Sequence, residues 1–183
     1  MTLADKIQIV IAVCTAAAAV AAWIAAKDSK RAAQAGLFSQ LMAEYGSPEM
    51  GDALRELTAW HKGGQPGFQA TFRPIHAPSF QENLEGWARS TASLHPSEEA
   101  LKLHQYRRRI TYFFSVVDRL VREGELGGGF ARDLQELTGT NVLCTIVLPM
   151  EEAFRNARGD AKPDDGGARI LTRLKQTFCQ PSD

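Results

Sequence analysis

Ile7 to Ala26 read IQIVIAVCTAAAAVAAWIAA, a stretch without a single charge. About twenty such residues are what a helix needs to cross a hydrocarbon core roughly 30 Å thick. The strongly apolar members are Ile7, Ile9, Val10, Ile11, Val13, Val20, Trp23 and Ile24. Alanine fills most of the rest and is close to neutral for insertion, so the drive into lipid is moderate. A helix apolar all round could instead be buried in a soluble globule, but that needs a larger core than this chain supplies. The expectation is a transmembrane helix at 7–26, preceded by a short tail at 1–6.

The flanks give a direction. A cleaved signal peptide carries a positive start, whereas here Asp5 offsets Lys6. Small residues near Ala26 leave cleavage open as the alternative. The basic cluster follows the span as Lys27, Lys30 and Arg31, and Trp23 stands where an interfacial anchor belongs. The positive-inside rule then places the N-terminus outside an inner (plasma) membrane and the C-terminal domain in the cytoplasm. The lipid bilayer is the first expected partner. The alanine run lets two such helices approach closely, so a homo-oligomer through the membrane helix is a second expectation, beside plain filler.

Composition narrows the rest. The chain has 183 residues, with 21 basic and 21 acidic side chains. Balanced charge offers no general attraction to nucleic acid, and none is expected as a partner. Cys14, Cys144 and Cys179 are few and far apart, which argues against a disulfide framework and fits a reducing compartment.

Behind the span the pattern is helical throughout, and the expected class is all-α, with about five or six helices after the membrane segment. Residues 27–158 make the helical domain, 159–167 a polar linker, and 168–183 a C-terminal helix and tail. Phe38, Leu41, Met42 and Tyr45 share a face, and no breaker separates them from the span, so one long helix is expected, weakest at Gly36. Gly46 is expected in the left-handed conformation, Ser47 as a cap and Pro48 at the first helical position. Gly63 to Pro78 reads as a loop anchored by Phe68, Phe72 and Ile75. Ser79 and Glu82 fit a capping box, and Ser97 caps the longest helix of the domain, about Glu98 to Glu123. Its apolar stripe is Leu103, Tyr106, Ile110, Phe113, Phe114, Val117, Leu120 and Val121. A short helix is expected from Phe130 to Leu137. Asn141 to Asn156 reads as a helix kinked at Pro149, with Cys144 as a core residue.

Two segments carry a resemblance. They are Tyr45-Gly46-Ser47-Pro48-Glu49-Met50-Gly51-Asp52-Ala53-Leu54-Arg55 and Tyr106-Arg107-Arg108-Arg109-Ile110-Thr111-Tyr112-Phe113-Phe114, the latter followed by Leu120 to Leu126. Over roughly Lys27 to Arg158 the chain resembles a family of bacterial single-span membrane proteins whose helical domain has no assigned activity. The resemblance implies the same fold and membrane location. It carries no catalytic, cofactor-binding or metal-binding residue across.

The residues themselves point to none either. His61, His76, His95 and His104 lack the spacing of a zinc site, and His95 with Glu98, Glu99 and His104 reads as a solvated helix start. Gly127-Gly128-Gly129 lacks the ending of a phosphate loop. Arg107, Arg108 and Arg109 point about 100° apart on a helix and cannot grip one phosphate together. Arg107 is expected partly buried against Glu44, Glu49 or Asp52, with Arg108 and Arg109 in water; phosphate contact is the weaker alternative. The function expected is a membrane-anchored, cytoplasm-facing interaction or regulatory module without catalytic residues, cofactor or metal. The alternative is a membrane-proximal enzyme with no sequence signature.

Overall fold

A computed structural model describes residues 3–63, 79–127, 133, 140–159 and 166–179; within the first helix it describes the side chains of Gln8 and of residues 14–45. Every element among them is helical, so the all-α reading is correct. The loop anchors Phe68, Phe72 and Ile75, the triple glycine beyond Gly127 and most of the helix expected at Phe130 to Leu137 lie outside the described residues, as does the linker from 160 to 165. The chain divides into two units, Met1–Gln40 and Leu41–Asp183.

Helix α1 (Leu3–Tyr45) runs for 43 residues without a break, straight through Gly36. From Cys14 to Ala33 its side chains are exposed, Trp23 at 65% and Val20 at 57% among them. Lys27 places its ammonium 5.3 Å from the Trp23 ring centre, an i,i+4 cation–π contact. Among the described residues no helix is long and apolar enough to cross a membrane, so the structure does not support a span at 7–26. The physical reason is local: from Cys14 onward the helix is mostly alanine and soon meets Lys27, Asp28, Lys30 and Arg31. Ile7, Ile9, Val10, Ile11 and Val13 have side chains outside the described set, and the finding does not reach them.

The second unit starts with the last turn of α1, where Leu41 is buried. Gly46 does not take the expected left-handed conformation. Its amide bonds back to Met42 O at 2.9 Å, and a Cβ there would stand 3.2 Å from that oxygen, so close backbone approach favours glycine instead. Ser47 then caps α2 (Pro48–His61) by accepting from the Met50 amide. Met50, Ala53, Leu57 and Trp60 form its buried face. Helix α3 (Phe80–Ala92) opens with the full capping box between Ser79 and Glu82. Replacing Ser79 with alanine removes that box and is expected to cost about 1 kcal/mol, read as a lower urea midpoint at unchanged slope.

Helix α4 (Glu98–Arg122), capped by Ser97, is the central element. It lies against α2, α3 and most of the described elements that follow it. Leu103, Ile110, Phe113, Phe114 and Val117 are buried as their spacing requires, and Gly124 ends the helix at φ 71°. Next, α5 (Thr140–Val142) passes through a π turn (Leu143–Val147) into α6 (Leu148–Arg158). Here Leu148 bonds five residues back to Leu143 O. Pro149 has no amide hydrogen to give the preceding turn, and the widened turn just before it accommodates that loss. Gly159 closes α6 at φ 71°.

Helix α7 (Gly166–Phe178) packs on α4 through buried Leu171, Leu174 and Phe178. The Phe178 ring meets Phe114 edge-on at 5.1 Å between centres. Just beyond α7, Cys179 is joined to Cys144 of the π turn in a disulfide, with Cα atoms 5.7 Å apart. This corrects the expectation that the cysteines stay unpaired: sparse spacing along the chain says nothing of distance once helices fold back on one another. Cys144 is also only half-buried rather than a core side chain.

Candidate functional site

Successive helical residues splay, and α4 divides its three arginines accordingly. Arg107 is 3% exposed, Arg108 is exposed, and Arg109 is exposed with a loose ion pair to Glu49 at 3.9 Å. The Arg107 guanidinium lies 5.7 Å from the Trp87 ring centre and 4.8 Å from that of Phe154. Its Nη1 forms an ion pair with Glu151 of α6, not with Glu44, Glu49 or Asp52. The guanidinium Nε, also buried, has no acceptor among the described residues. Glu151 in turn accepts from the Thr111 hydroxyl at 2.8 Å. Trp87 donates its indole N–H to Ala100 O at 3.2 Å, which fixes the ring over the arginine.

His104, one turn before Arg107, has its Nδ1 3.2 Å from an Arg107 Nη2. Since guanidinium only donates, Nδ1 is the acceptor and the proton of the neutral ring sits on Nε2. Burial, followed by the positive charges of Arg107, Arg108 and Arg158, pushes the His104 pKa down to about 4. Burial also lowers Arg107, against the opposing pull of Glu151. A neutral imidazole this weakly basic takes up no proton near neutrality. The group holds three helices together.

The depressed His104 pKa fixes a pH dependence. Above about 6.5 the ring is neutral folded and unfolded, and stability is at its plateau for this group. As pH falls from 6.5 to about 4 the unfolded chain takes up the proton and the folded one does not, so stability is lost across that window. The ring is partly solvated, and the expected loss is about 1–2 kcal/mol after screening. Urea midpoints between pH 7 and 4 check it: the slope against pH should flatten in His104→Asn.

The carboxylate of Asp118 is buried, at 4% exposure. It receives Arg122 at 3.1 Å, Arg173 at 3.4 Å and the Thr177 hydroxyl at 3.2 Å. These ties join α4 to α7 or to itself, so this too is a fastening. Sequence reading missed Asp118 and Glu151. For Asp118 the signal was present: it stands four residues after Phe114 and eight after Ile110, on the buried face.

The outward face of α4 differs in kind. Leu101, Gln105, Arg108, Tyr112 and Arg119 are all exposed and fall on one line at i, i+4, i+7, i+11 and i+18. Tyr112 is 73% exposed and Leu101 43%. Leu94, in the turn before α4, is almost fully exposed. From Ala100 to Val117 this helix has no acidic residue. Of the remaining candidates, Trp23, Lys27, Lys30 and Arg31 lie on the exposed part of α1, and His95 is exposed. His61 packs on the Phe80 ring at 4.3 Å. Among the described residues no three His, Cys, Asp or Glu side chains gather as a metal site would require.

No protein-family model, curated protein or solved structure matches the chain.

Proposed function

We propose that the protein is a membrane-anchored helical interaction module. Residues 7–26 of α1 are the anchor, and the outward face of α4 is the contact surface for a protein partner with an acidic surface. The observation that carries it is that α4 face. A positive, acid-free stripe with Tyr112 between Arg108 and Arg119 and Leu101 at its start has the make-up of a contact patch: aromatic and arginine anchors in a polar surround. The anchor rests on the uncharged run at 7–26 and on the exposed side chains around α1 from Cys14 to Ala22, to which lipid would supply apolar neighbours. Lys27, Lys30 and Arg31 favour the cytoplasmic side for the domain.

A photo-crosslinking residue in place of Tyr112, activated in intact membranes, tests the contact surface. The expected result is a discrete adduct that is lost when Arg108→Glu reverses the charge of the stripe. A crosslink to a second copy of the chain would make the partner a homo-oligomer. Absence of any adduct, or one indifferent to Arg108→Glu, would remove this face from the account.

A further inference from the structure

We propose that Cys144 and Cys179 form a reversible redox site that clasps α7 onto the domain. The proposal rests on the functional reading that the domain faces the cytoplasm. Two observations conflict if the bridge is permanent. The basic flank Lys27, Lys30 and Arg31 favours a cytoplasmic domain, and cytoplasmic thiols are kept reduced. The fold nevertheless brings the two sulfurs within bonding distance. A bond that opens and closes reconciles them, since cytoplasmic disulfides are usually transient and redox-sensing.

The placement suits such a clasp. Cys179 lies directly after α7 and Cys144 in the π turn of the neighbouring element, 35 positions apart along the chain. Both are half-buried, within reach of a small thiol and short of full exposure. The bond is not the sole tie on α7. Leu171, Leu174 and Phe178 are buried, Thr177 and Arg173 reach Asp118, and Lys175 pairs with Glu152. With the bond closed, α7 cannot leave. With it open, α7 docks only by those non-covalent contacts, and its undocked fraction rises because the loop is no longer held shut.

The exchange partner is a dithiol. Its thiolate attacks one sulfur of the bridge and forms a mixed disulfide, releasing the other cysteine as a thiolate that takes a proton. The second thiol then displaces the remaining cysteine. The bridge gains two electrons and two protons, and the dithiol leaves as a disulfide.

The test uses the full chain in a Cys14→Ser background, which removes the exposed third thiol. Thiols are trapped by acid quench of membranes and counted by the gel shift of a maleimide polymer. The expected result is a mixed population that shifts to fully alkylated with excess dithiothreitol and back with oxidised glutathione. Hydrogen exchange over 166–178 should quicken at least tenfold on reduction, while that of α2 and α4 stays the same. A Cys144→Ala/Cys179→Ala variant should match the reduced protein; if it does not fold, the reduced protein in the native background gives the same reading. The proposal is overturned if the bond resists an excess of reduced glutathione, if the thiols are never linked, or if exchange in α7 ignores the bond. A domain found outside the cytoplasm with a permanent bridge also overturns it, while leaving membrane anchoring intact.

Discussion

Replacing Glu151 with glutamine is expected to cost about 3 kcal/mol of stability, the lower end of the range for stranding a buried charge. Arg107 would keep its positive charge at 3% exposure, with only ring faces, His104 and a neutral amide around it. Glu151 retains some solvent at 15% exposure, which is why the lower end applies. The double variant Arg107→Met/Glu151→Leu should recover most of the loss, because apolar pairs of similar volume often match a buried ion pair. Urea unfolding of the unaltered protein, Glu151→Gln and the double variant measures this. A loss below about 1 kcal/mol for Glu151→Gln would mean that water reaches the guanidinium.

Phe114→Ala is expected to cost about 3–5 kcal/mol, since it removes a large side chain from the middle of the core and leaves a cavity. The ring is 2% exposed and sits between Phe113 and Phe178, with centres 5.3 and 5.1 Å away. Its loss therefore also loosens the seat of α7. Tyr112→Ala, two residues earlier, should stay within about 0.5 kcal/mol because Tyr112 points into solvent. The same urea experiment reads both. Equal losses at the two positions would contradict the assignment of inner and outer faces of α4.

Those two faces are legible in the spacing of residues along the chain. The stripe through Leu103, Ile110, Phe113, Phe114 and Val117 follows from periodicity, and the caps at Ser47, Ser79 and Ser97 from residues adjacent in sequence. Such signals need only a few neighbouring positions. What the sequence withheld is long-range. Arg107 has several carboxylates within plausible reach, and only the packing of α6 on α3 and α4 selects Glu151. The Cys144–Cys179 bond depends on two segments 35 residues apart meeting at one end of the core. Gly46 shows a smaller limit: a glycine between two helices suggests positive φ, whereas the close approach to Met42 O is the actual demand. The span at 7–26 rests on composition alone, and among the described residues the uncharged stretch from Cys14 meets Lys27, Asp28, Lys30 and Arg31 before it is long enough to cross a membrane.

Membrane anchoring is therefore the claim on which a single fractionation bears most directly. Membranes from cells expressing the full chain are washed in alkaline carbonate, then extracted with detergent, and the protein is followed through each step. The account predicts that it stays in the pellet through carbonate and enters solution only with detergent, and that a chain lacking residues 1–26 is released by the first wash. Recovery of the full chain in the aqueous fraction before any detergent is added would contradict it.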